Sequence, residues 1–61
     1  MKELIRNESK AAIVALYAGI SKTGNVYFKV YKSYRESFHT QESIEYTTFE
    51  EATKTFILWC E

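Results

Sequence analysis

Sixty-one residues, with eight Lys and Arg against eight acidic residues, one His, one Cys, two Gly and no Pro, allow a single domain. One Cys excludes an intramolecular disulfide, and one His with one Cys excludes a self-contained structural zinc site. A chain this short buries only about 60% of the surface its unfolded form exposes, so stability has to come from dense packing or from self-association.

The apolar fraction of 46% and aromatic fraction of 16% place the chain among folding sequences, since disordered chains are depleted in such residues. The longest apolar run, Ala11 to Ala18, is far short of a bilayer-spanning segment, so no membrane association is expected. The opening MKELIRNESK is too charged to lead into a secretory signal. With a free Cys, which suits a reducing compartment, the expectation is a cytoplasmic protein. The zero net charge hides an asymmetry. Residues 1–35 carry seven basic side chains against two acidic ones (+5), and residues 36–61 carry one against six (−5); every acid is Glu. Such a split marks either a basic binding face or two halves that attract each other in the fold.

In chain order, residues 1–9 hold Leu4 and Ile5 amid charges and read as one or two turns of helix or as an extended arm. Ala11 to Ile20 is apolar at both phases of an alternation, which suits a central strand covered on both faces. A helix continuing from Glu3 is the rival reading, but Ile13, Val14, Gly19 and Ile20 favour the strand. Residues 21–25 form a polar break with Gly24 placed for a left-handed turn position. From Asn25 to Tyr34, Val26, Phe28 and Val30 alternate with Tyr27, Lys29 and Tyr31, the clearest strand in the chain. Lys32 to Ser43 is polar apart from Phe38 and reads as a loop or a long hairpin continuation. Residues 44–47 suggest a short third strand with Ile44 and Tyr46 inward. Thr48 to Glu51 then forms a capping box that opens a helix, with the Thr48 hydroxyl on the Glu51 amide and the Glu51 carboxylate on the Thr48 amide. Phe49, Ala52, Phe56, Trp59 and Cys60 form its apolar stripe.

Little here carries reaction chemistry. Nucleophilic catalysis needs a base beside the nucleophile and a group that orients it; the only Cys–His pair is Cys60 with His39, and there is no Asp. Cys60 sits on the apolar end of the helix, where a small buried or interface thiol is the ordinary outcome. The Glu50–Glu51 pair is explained by capping, and Glu42–Glu45 lacks further hard-cation ligands. Gly19 and Gly24 stand alone and make no phosphate loop. No catalytic residue, metal or cofactor is expected.

Two patterns point to binding. Tyr27, Lys29, Tyr31 and Arg35 fall on alternate positions and project from one face if the strand persists, interleaving rings for stacking on bases with cations for phosphates. Tyr–Lys alternation is also ordinary for a half-exposed sheet face, and zero net charge weakens the electrostatic case. The second pattern is a surplus of large apolar residues. Leu4, Ile5, Phe38, Ile57, Leu58 and Trp59 cannot all reach one small core. That makes Phe56, Ile57, Leu58 and Trp59 candidate protein-interface residues, with Leu58 and Trp59 as anchors.

The order strand–strand–strand–helix over residues 11–60 is similar in outline to the small three-stranded DNA-binding domains of phage integrases and plant AP2 factors. Those carry several Arg and Trp on the sheet, where this chain has Tyr27, Lys29, Tyr31 and Arg35. The outline also resembles a double-stranded-RNA-binding domain, but Glu50 and Glu51 stand where that family's last helix opens with Lys. The sequence therefore identifies no family.

The expectation is an α+β fold: a three-stranded antiparallel sheet with one C-terminal helix packed on one face. Residues 1–9 would form an arm, 11–47 the sheet and 48–60 the helix, around a core of Val26, Phe28, Val30, Ile44, Phe49, Ala52 and Phe56. The expected function is a non-enzymatic interaction module. It would self-associate as a homodimer, bind a protein partner, and act as an accessory or inhibitory factor of phage or bacterial type. The alternative is nucleic-acid binding through the Tyr/Lys face.

Overall fold

A computed structural model of the chain describes residues 1–36 and 41–61; Phe38 and His39 lie outside the described residues. Five elements follow one another: β1 (Lys2–Glu8), β2 (Ala12–Ile20), β3 (Val26–Tyr34), β4 (Gln41–Tyr46) and α1 (Phe49–Cys60). The strands form one antiparallel sheet in the order β1-β2-β3-β4. The fold is thus α+β with a C-terminal helix, as expected, but the sheet has four strands rather than three.

The additional strand is the N-terminal segment read as a helix or arm. Its seven residues are all exposed, so no buried face imposes the alternation by which a strand is recognised. A bulge adds to this. Glu3 pairs with Tyr17 and Ile5 with Leu16, leaving Leu4 as an extra residue. Glu3 and Arg6, three apart, consequently share a face, and Arg6 Nε donates to Glu3 Oε1 at 2.8 Å.

β2 and β3 pair along nine residues, from Ala12 with Tyr34 to Ile20 with Val26. The loop between them closes as the Gly24 position requires: Gly24 has φ +89° and donates to the Ser21 carbonyl at 3.0 Å, while Ser21 donates to Asn25 O at 2.8 Å. The Thr48 cap forms in part. Its backbone is extended and its hydroxyl accepts from the Glu51 amide at 3.4 Å. The Glu51 carboxylate, however, accepts from the Thr48 hydroxyl at 2.9 Å instead of returning to the Thr48 amide.

The helix crosses one face of β2, β3 and β4, and the core lies between. Val14, Leu16, Val30, Ala52 and Phe56 form the buried cluster, with Phe28, Tyr46, Trp59 and Cys60 packed against it. Ala52 is fully buried; with only a methyl group it lets the helix lie close to Val30.

Three residues expected in the core are largely outside it: Val26, Ile44 and Phe49 are 53%, 43% and 52% exposed. The reason is size. A 12-residue helix is about 18 Å long and roughly 10 Å across, whereas nine-residue strands run about 30 Å and four strands span about 19 Å. One helix cannot cover the hairpin end at Ile20 and Val26, or the outer strands at Ile5 and Ile44. Phe49, at its first turn, meets Phe28 edge to face at 5.6 Å.

The two oppositely charged halves meet through strand pairing. Lys29 stands opposite Glu45 and Lys32 opposite Glu42 across β3 and β4. The ion pairs among the described residues, Arg6–Glu3, Arg35–Glu8 and Lys54–Glu50, each lie within one half. No helix among the described residues is long and apolar enough to cross a membrane.

Candidate functional site

Side chains at alternate positions of a strand point to opposite faces, so the strand registers define what the helix leaves bare. Reading across the four strands, one row of the open face is Glu3, Tyr17, Lys29 and Glu45, and the next is Arg6, Ala15, Tyr31 and Ser43. Beyond them stand Glu8, Ile13, Ser33 and Gln41 on one side, and Gly19 with Tyr27 on the other.

Few polar groups occupy the centre of this face. Ala15 is 1% exposed although no helix covers it; its direct neighbours are Arg6 and Tyr31, whose long side chains can lean over its methyl. The ring of Tyr27 lies across Gly19 so closely that a Cβ there would stand 2.6 Å from the ring carbon Cζ. Its hydroxyl reaches the Met1 sulfur at 3.9 Å. Met1, Tyr17, Lys29 and Tyr31 line a shallow depression of about 270 Å³. The face is therefore aromatic and aliphatic at its centre, with Lys29 among the rings and Glu3, Arg6, Glu8 and Glu45 towards its margins.

The structure brings together three of the four residues singled out for nucleic acid. Tyr27, Lys29 and Tyr31 share the open face. Arg35 lies beyond the end of β3, where its Nε donates to the Ser9 carbonyl at 2.7 Å and its Nη2 to Glu8 Oε1 at 3.2 Å. The guanidinium thereby ties the end of β3 to the β1–β2 connection. Arg6 joins the face without having been singled out; its guanidinium is pushed above its ordinary pKa, first by the hydrogen bond to Glu3 and then by that carboxylate's charge. Charge on the face is mixed, with Lys29 beside Glu45 and Arg6 beside Glu3.

The helix end divides the four candidate interface residues. Phe56 is buried and belongs to the protomer's own core, and Trp59 is partly buried against it. Ile57 and Leu58 are 57% and 64% exposed. Thr55 shares a 2.6 Å hydrogen bond with the Tyr46 hydroxyl, so that flank of the helix faces β4. Trp59, four residues on, lines a shallow depression with half-exposed Ile44 on this flank. Cys60 interacts with Asn7 of β1 and Lys32 of β3.

Burial raises the Cys60 thiol above its ordinary pKa, while a hydrogen bond with Asn7 and the charge of Lys32 pull the other way. A raised thiol pKa means that the unfolded chain ionises first. This contribution to stability is complete below the unfolded thiol's pKa and is lost as pH rises through the folded value. Cys60 should accordingly react more slowly with a thiol reagent in the native chain than in urea-denatured chain at mildly alkaline pH. Equal rates by Ellman kinetics would show that the thiol is not shielded.

Among the described residues no three His, Cys, Asp or Glu side chains come together as a metal-ligand set. The chain matches no protein-family model, no curated protein and no solved structure.

Proposed function

We propose that the chain is a small, non-enzymatic protein–protein interaction module that self-associates. The observation that carries this reading is the bare sheet face. A two-layer fold of one sheet and one helix leaves the second face of the sheet open, and here that face presents Tyr17, Tyr27 and Tyr31 around Ala15 and Gly19. Tyr is enriched at the centres of protein interfaces, and the three Tyr of this face occupy its centre with Lys29 the one charged side chain among them. Exposed Ile57 and Leu58 add a second apolar surface on the helix, suited to a protein partner.

Charge favours a protein over a nucleic acid. Single-stranded nucleic acid is held by a segregated basic track between stacking rings, whereas Arg6 is ion-paired with Glu3 and Arg35 with Glu8, and Lys29 stands opposite Glu45 in the strand register. Sedimentation equilibrium tests the reading. The expected result is a species of twice the 7.2 kDa chain mass, with an association constant that falls only modestly with salt. A monomer at the highest soluble concentration refutes self-association, and a monomer that takes up oligonucleotide at low salt transfers the function to nucleic acid.

A further inference from the structure

We infer that the open sheet face is the self-association surface, closed by a second copy of the chain stacked face to face about a two-fold axis that runs across the strands. The inference rests on the self-association proposed above and adds its geometry.

A two-fold interface must be complementary to itself, each residue i meeting j while j meets i. For aligned sheets, two such axes are available. An axis along the strands places β1 over β4 of the second copy and keeps the rows in place, so Glu3 meets Glu45, carboxylate against carboxylate. An axis across the strands keeps each strand over its own copy and exchanges the two central rows. Glu3 then meets Arg6 and Lys29 meets the ring of Tyr31, each contact occurring twice. These are an ion pair and a cation–ring contact, with Tyr17 placed against the Arg6 and Tyr31 side chains that flank the buried Ala15. The next rows continue the match, with Ile13 over the Gly19 and Tyr27 row. Shifting the axis by half a row-spacing, onto either row itself, sets Arg6 on Arg6 or Glu3 on Glu3. The axis along the strands also sets Lys29 over Tyr17, so among arrangements that overlay all four strands it is the contact of Glu3, with Glu45 or with Arg6, that favours the axis across the strands between the two central rows.

Four strands at ~4.8 Å and some seven residues at ~3.3 Å give roughly 440 Å² per copy and roughly 900 Å² for the pair, the size of a weak, reversible dimer. The natural twist of each sheet rotates the two strand sets by about 30° and leaves the central rows in contact.

The test exchanges charge at the Glu3–Arg6 contact, both side chains being solvent-accessible in the protomer. Glu3→Arg alone sets cation on cation across the axis, and Arg6→Glu alone sets carboxylate on carboxylate. Each should weaken the homodimer at least tenfold by sedimentation, with the circular dichroism spectrum unchanged. An equimolar mixture of the two variants should recover association as a heterodimer, because each Arg of one chain then meets a Glu of the other. The doubly exchanged chain, E3R/R6E, keeps the pair within the protomer and should dimerise like the parent; it serves should either single variant fold poorly. Dimerisation of both single variants at parental strength overturns the proposed face while leaving self-association standing. A mixture that stays monomeric overturns it as well. A monomeric parent chain overturns self-association and this geometry together.

Discussion

Phe56→Ala is expected to leave the chain largely unfolded at 25 °C. Phe56 is 8% exposed and packs into the cluster of Val14, Leu16, Val30 and Ala52 that joins helix to sheet. Removing a buried Phe side chain costs about 3–5 kcal/mol through lost transfer energy and the cavity left behind. A single core in a chain of this size supplies only about 3–5 kcal/mol in total, so the loss is comparable to the whole stability. The helix has no independent reserve: 12 residues are marginal alone in water, and its last turn carries no basic side chain to offset the helix dipole. Far-ultraviolet circular dichroism should lose the helical signal, and the cooperative urea transition should disappear or begin at zero denaturant. A loss below about 1 kcal/mol would mean that the helix is held by something other than this contact.

Deleting residues 1–8 is expected to have a comparable effect by another route. These residues contribute almost no buried side-chain surface, since all of β1 is exposed. What they contribute is backbone pairing along β2, from Lys2 opposite Ala18 to Glu8 opposite Ile13. β2 carries four of the seven buried apolar residues among those described, Ala12, Val14, Ala15 and Leu16. Without β1 it becomes an edge strand with unpaired amides beside apolar side chains, the arrangement that promotes aggregation. The deletion also removes Glu8, one of the two groups that hold Arg35 at the far end of β3. The truncated chain should give no cooperative thermal transition and should scatter light at concentrations where the full chain is clear. A transition at the parental midpoint would show that β2 is self-sufficient.

The different legibility of the strands has a physical origin. β3 was readable because half of its side chains face the helix and half the open face, so burial imposes a period of two on Val26, Phe28 and Val30 against Tyr27, Lys29 and Tyr31. The helix was readable because its cap and stripe are local, set by Thr48, Glu51, Ala52 and Phe56 within the element itself. β1 was not, because it buries neither face and a bulge at Leu4 breaks the alternation that remained. The core was half readable. Val30, Ala52 and Phe56 lie between helix and sheet, but whether Val26, Ile44 and Phe49 do depends on the length and path of a helix measured against a whole sheet. The same holds for the candidate site: Tyr27, Lys29 and Tyr31 follow from spacing, whereas the capture of Arg35 by Glu8 and Ser9 joins residues 26 and 27 positions apart in the chain.

The sequence by itself determined the elements whose signals are local: the two central strands, the glycine turn between them, and the capped C-terminal helix. It also determined that no disulfide could hold them together. Only the tertiary structure decided that the N-terminus completes a four-stranded sheet, and that the charged halves meet as strand partners at Lys29–Glu45 and Lys32–Glu42. It also decided that one sheet face stays bare. Each of these depends on pairing between distant segments and on how much area a single helix can cover, quantities that no local pattern of residues records.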